Sequence, residues 1–244
     1  MEMSRIIGLD NIKQKVKEVV EKKEFKRFGI LPSHMLFAGM KSGDGCTTIS
    51  NCITDLFYEN DVRPFPEPDF SLEFKPNGKT KDSLEKVFET IETAAVYENV
   101  YRGNIFINLD DVLPYTNDSH VTDFIHELTK IAEYATLFFF VDTSKRNADV
   151  LISKITSTIS DVSTVNVVAY SLEELVQITK QMIEEHGIIV GEGTDAVISE
   201  CISSRNINSA KGCASLKKEL LKCADISNGV LSLSVDSINS KTMC

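Results

Sequence analysis

The residues best placed to do chemistry are the run Gly39-Met40-Lys41-Ser42-Gly43-Asp44-Gly45-Cys46-Thr47-Thr48 and the acidic pair Asp110-Asp111. The run follows an apolar strand candidate, His34 to Ala38, and opens a helix candidate reaching about Tyr58. Strand, glycine turn, Thr-Thr and helix are the setting of a phosphate-binding loop, where backbone N–H groups and a helix N-terminus face an anion. Two departures stand out. Counting back from Gly45, the first glycine of such a loop falls on Met40, so Gly39 serves only with one extra residue. The position of the phosphate-reaching lysine holds Cys46, and a thiol supplies no positive charge. Losing one charged hydrogen bond costs about 1.5–3 kcal/mol, roughly ten- to a hundredfold in affinity. Lys41 is the cation left on the loop. The plainer reading is a loop that only turns the chain from strand to helix.

Asp110 and Asp111 close a second apolar run, Asn104 to Leu109. Asp110 offers oxygen to a magnesium ion, and Thr47 a hydroxyl. Asp111 is one methylene shorter than a water-orienting glutamate, so its carboxylate sits back from an attacking water. An acidic pair after a buried strand is also a common helix N-cap, here for the Val112 segment. The histidines His34, His120, His126 and His186 are dispersed, and no set of nucleophile, base and orienter is visible. The cysteines form no CxxC pair, which disfavours zinc. Cys52, Cys201 and Cys223 sit among apolar helix positions, as buried thiols of a reducing cytosol do.

The elements that must position these groups follow from periodicity. Leu9 to about Phe25 carries Ile12, Val16, Val19 and Val20 on one helical face. Arg63 to Pro68 is a proline-rich connection, Phe70 to Phe74 a short alternating strand, and Thr80 to Tyr97 helical again. Asn104–Leu109, Thr136–Val141 and Thr164–Ala169 are continuous apolar runs, suited to parallel strands buried on both faces. Helix candidates at Val121–Tyr134 and Ala148–Thr156 lie between them, and this alternation implies a parallel sheet wrapped in helices. From Ser171 the strands stop. Leu172–His186, Thr194–Ser203 and Cys213–Ile226 are helix candidates, the first with Ser171 and Glu174 at capping-box spacing. The expected organisation is an N-terminal helical segment (1–32), an α/β core (33–170), a small all-helical lid (171–226) and a frayed tail (227–244).

The chain has 244 residues, 42% of them hydrophobic, and a net charge of −10, which suits a globular protein and disfavours a general nucleic-acid binder. No apolar run approaches the roughly 18–20 residues that span a bilayer. The N-terminus has no signal-peptide pattern, and the expected location is the cytoplasm.

Five strand candidates with a phosphate loop after the first, followed by a helical region, resemble an AAA+ ATPase module. Ile7-Gly8-Leu9-Asp10 resembles the segment before the superfamily's core, and Ser33 to Gly39 looks like the first strand of the branch containing sporulation stage V protein K and the red-type Rubisco activases. Gly103 to Asp111 falls where that branch has its Walker B strand, and Tyr170-Ser171-Leu172-Glu173-Glu174-Leu175 resembles the entry to its lid. The similarity spans roughly residues 5–225.

The resemblance implies a five-stranded parallel P-loop sheet with flanking helices. It implies ATP or ADP held with magnesium by Gly39, Lys41, Gly43, Gly45, Cys46, Thr47, Thr48 and Gly8, and Asp110 and Asp111 as the catalytic carboxylates. It also implies a ring that remodels a partner protein. This chain departs from the family in several places at once. Ser153 to Val165, where the family carries its arginine finger, has only Lys154 as a base, and Lys211-Gly212-Cys213-Ala214-Ser215 puts Ser215 at the second sensor's arginine. Asp142 or Thr143 falls at the first sensor, and Phe74 at the pore loop. The expectation is a degenerate, oligomeric pseudo-ATPase or nucleotide-binding-only module, partnered by an active AAA+ paralogue. A slow but genuine ATPase using Lys41 and Asp111 is the alternative, and a clamp-loader or initiator-like DNA-associated module the third.

Overall fold

The computed structural model describes residues 3, 6–21, 33–41, 43–60, 70–73, 104–117, 119–133, 135–227 and 230–241. The expected connection at Arg63–Pro68, the helix at Thr80–Tyr97 and Phe74 lie outside them. Contacts divide the chain into two units. One holds Leu9–Ser42 and Cys46–Val168; the other holds Ile6–Gly8, Gly43–Gly45 and Ala169–Cys244.

The first unit is built on a parallel sheet. Four strands, β1 (His34–Ala38), β3 (Asn104–Asn108), β4 (Thr136–Val141) and β5 (Val162–Asn166), lie in the order β3-β4-β1-β5, and the backbone of β2 (Phe70–Glu73) pairs beyond β3. Register follows side-chain chemistry. Leu36, Ile105, Ile107, Leu137, Phe139 and Val141 belong to one apolar cluster with α3 (Ser119–Ile131) and α4 (Ala148–Thr158). The alternate residues build an aromatic layer, with the Phe106 and Phe138 rings 5.0 Å apart and Phe37 and Phe140 5.3 Å apart. Phe57 of α2 (Cys46–Glu59) joins it, 6.0 Å from Phe138. A strand with apolar side chains on both faces must be covered on both, which fixes helices above and below. α1 (Asp10–Glu21) buries Ile12, Val16 and Val19 and carries Lys13–Asp10 and Lys17–Glu21 ion pairs on its outer face.

The second unit departs from the all-helical expectation. α5 (Leu172–Glu184), α6 (Thr194–Ser204) and α7 (Ala210–Leu220) are present, and Ser171 and Glu174 close the capping box expected at the start of α5. The helix expected over Cys213–Ile226 instead ends at Leu220 and passes through a 3-10 turn into a strand. β6 (Ile189–Val190), β7 (Asp225–Ser227) and β8 (Val230–Leu233) form a mixed sheet in the order β6-β8-β7. The tail expected to fray therefore supplies β8 and α8 (Val235–Lys241). Burial is the reason: Leu233 and Ile238 enter the same apolar cluster as Leu175, Ile198 and Leu216. Docking of these two side chains offsets the ordering cost that a polar tail alone could not meet.

Candidate functional site

The loop after β1 starts from a close approach of two backbones. Val167 donates its N–H to the Ala38 carbonyl at 2.7 Å, and Gly39 donates to Val141 O at 2.9 Å. Gly39 has φ near +100°, and a Cβ there would lie 2.7 Å from Val167 O, so only glycine fits. The extra residue seen in the sequence is Met40, and its side chain is consumed by the core at 1% exposure. Gly43 and Gly45 also adopt positive φ, and α2 begins at Cys46. The Cys46 thiol is half-buried and lies 4.0 Å from the Lys41 carbonyl, while Thr47 and Thr48 are exposed on the first turn of α2.

In the second unit, Gly43 O accepts the Lys211 N–H at 2.9 Å, and Asp44 O accepts the Tyr170 hydroxyl at 2.9 Å. A Cβ on Gly43 would meet Lys211 Cβ at 2.7 Å. Gly8 has φ of +67°, and its Cβ space is taken by Glu174 and Tyr170, with Glu174 Oε1 at 2.6 Å. Close packing therefore accounts for glycine at position 8. Ser215 is exposed on α7, and its hydroxyl donates to Lys211 O at 3.2 Å.

The acidic pair separates into two environments. β3 runs into a 3-10 turn, Leu109–Asp111, whose cap is Asn108 accepting the Asp110 N–H at 3.1 Å. The expected capping role of the aspartates thus belongs to Asn108, because the aspartates are already inside the turn. Asp111 is exposed. Asp110 is buried, and its Oδ1 accepts the Asp142 N–H at 2.9 Å. Its Oδ2 lies 2.8 Å from Lys145 Nζ, close enough for an ion pair but not aligned as a hydrogen bond.

Asp142 ends β4, and its Oδ1 accepts both the Ser144 N–H at 2.9 Å and the Ser144 hydroxyl at 2.6 Å. Burial pushes the Asp142 carboxyl up. The Ser144 hydrogen bonds and the charges of Lys41 and Lys145 together outweigh it and hold the group below its ordinary value. Asp142, one of the two residues at which the resemblance would put a first sensor, is therefore a carboxylate whose ionised form is favoured by Ser144 and by the charges of Lys41 and Lys145. A cleft of about 540 Å³ runs along Asp110, Leu113, Pro114, Lys145, Arg146 and Asn147. Lys154, the lone base expected near the finger position, donates to the Thr116 carbonyl. Lys145 carried no signal in the sequence, because its place beside Asp110 depends on how the turn after β4 folds back.

A likeness to solved structures emerges from this arrangement. Two single-site variants of Thermotoga maritima RuvB match over 98% of this chain and 70–71% of theirs, at 18% identity with TM-scores of 0.60 and 0.63. No protein-family model and no curated protein sequence matches the chain. At this identity the likeness carries the α/β fold and leaves the chemistry to the residues.

The residues do not fit a divalent metal at Asp110. Both of its oxygens are engaged, one by an N–H and one by an ammonium. Among the described residues no group of three or more His, Cys, Asp or Glu side chains gathers. Cys52, Cys201, Cys213 and Cys223 are buried and in no disulfide, and burial pushes the Cys52 and Cys213 thiols up. Among the described residues no helix is long and apolar enough to cross a membrane.

Proposed function

We propose that this protein is a non-hydrolysing AAA+-type module that works through protein contacts, with an active AAA+ paralogue as its ring partner. The observation that carries this reading is the ion pair between Asp110 and Lys145. In phosphoryl transfer by P-loop proteins the metal bridges the phosphate oxygens and neutralises developing charge. Here the carboxylate that would manage the metal is already neutralised from within the chain.

Three other groups support the reading. Cys46 places no charge at the loop, Asp111 is exposed, and Ser215 spends its hydroxyl on its own helix. The N-terminus of α2 still presents amides to an anion, so phosphate-bearing nucleotide binds weakly on this reading, through Gly39, Lys41, Gly43, Gly45, Thr47 and Thr48. Descent from the branch of stage V protein K and the red-type activases belongs to the same proposal and rests on the order of the motifs.

A slow ATPase is the second reading. One observation favours it: the charge of Lys41 acts on Asp142, as an inward-facing loop cation would. Steady-state ATP turnover by the purified full chain, with and without Asp110→Asn, separates the two. No turnover above background is expected. Turnover abolished by Asp110→Asn refutes the non-hydrolysing reading, and an unchanged melting temperature in millimolar ATP removes its nucleotide-binding part.

A further inference from the structure

We propose that Lys145 is a tethered cation standing in for a divalent metal at Asp110, which leaves this unit indifferent to magnesium. The inference rests on the non-hydrolysing reading and names how that site is held. The Asp110 side chain is only 4% exposed, and a carboxylate so buried requires a compensating charge. Lys145 Nζ supplies it at 2.8 Å, while the Asp142 N–H occupies the other oxygen.

The lysine leaves a turn whose backbone is held, although its side chain is 44% exposed. Asp142 holds Ser144 through two hydrogen bonds, and the Lys145 N–H donates to Asp142 O at 3.2 Å. On the other side, Ala148 donates to Lys145 O at 3.3 Å, and Asn147 adopts φ of 69° before α4. The backbone of Lys145 is thus held on both sides, and its side chain lines the same cleft as Asp110. A magnesium or manganese ion approaching from that cleft would have to expel the ammonium. It would then hold one carboxylate oxygen and fill the rest of its shell with water, which does not offset the loss of the ion pair.

The test is manganese uptake by the purified full chain, read as loss of the free-ion paramagnetic signal, beside melting curves with and without the ion. The wild type is expected to take up no Mn2+ at roughly millimolar concentration and to show no melting shift. Lys145→Gln or Lys145→Met should gain Mn2+ affinity by roughly tenfold or more, a gain abolished when Asp110→Asn is added. Lys145→Arg should behave as the wild type. Should the neutral variants be unfolded alone, recovery of their melting transition by Mn2+ supports the proposal, and failure to recover counts against it. Wild-type uptake of Mn2+ that Asp110→Asn removes overturns it, as does a folded Lys145→Gln that gains no Mn2+. Such uptake without ATP turnover sinks only the tethered cation, whereas turnover sensitive to Asp110→Asn sinks the non-hydrolysing reading itself.

Discussion

Mild acid should destabilise the α/β unit through a single imidazole. His34 opens β1 at 6% exposure, and its Nδ1 accepts the Leu137 N–H at 3.1 Å. Burial pushes its pKa down to about 4 from an ordinary 6.5, against a smaller opposing pull from Asp161. Protonation would bury a charge and turn an acceptor facing an N–H into a donor. Between those two values the unfolded chain binds a proton that the folded chain refuses, so stability rises with pH across the window. The contribution is intact above pH 6.5, shrinks as pH falls, and is fully lost below about 4. The gap is worth about 3 kcal/mol in full, and about 2.5 kcal/mol of it is gone at pH 4.5. Against a total stability of about 5–15 kcal/mol, that is enough to move a urea midpoint clearly. His34→Asn keeps an acceptor for the Leu137 N–H and removes the titration. Urea unfolding followed by far-UV circular dichroism, at several pH values from 7.5 to 4.5, should show the wild type losing about 2.5 kcal/mol more than the variant. Parallel pH profiles for the two proteins, or a His34 ring resonance titrating near its ordinary value, would refute the argument.

Two further substitutions probe the backbone. Gly39→Ala forces a side chain into positive φ and against Val167 O, and should cost about 1–3 kcal/mol in thermal or urea unfolding. A neutral result would mean that β1 and the segment after β5 do not approach as described. Ser171→Ala removes the acceptor for the Glu174 N–H at the start of α5, and should lower the stability of the second unit by about 1 kcal/mol. Amide exchange in the first turn of α5 should rise with it, and unchanged protection there would speak against the cap.

Much of the first unit was legible because β1, β3 and β4 are continuous apolar runs, whereas β5 was expected at Thr164–Ala169 and lies at Val162–Asn166, mixed in character and largely uncovered. Thr136-Leu137-Phe138-Phe139-Phe140-Val141 is buried at every position, so neither period nor length left a choice. The second unit hid its sheet because its strands hold two to four residues each, too short for alternation to register. One local signal was passed over. Asn228-Gly229 between Ser227 and Val230 is a strong two-residue hairpin sequence, and β7 and β8 on either side pair antiparallel. At the candidate site, the sequence marked Asp110 and Asp142 as separate suspects. It could not show that Lys145 joins them, because that depends on how the turn after β4 folds back.

Lys145 also bears on how Cys46 is read. A metal–nucleotide site needs a carboxylate left free for the ion and a loop cation aimed at the phosphates. In this chain Asp110 and Asp142 carry two negative charges, and Lys145 and Lys41 bring two positive charges to bear on them. That balance closes without an ion. Placing a lysine at Cys46 alone would therefore add an uncompensated charge without freeing Asp110 for magnesium. On the non-hydrolysing reading, Cys46→Lys should therefore give little ATP turnover while Lys145 stays in place.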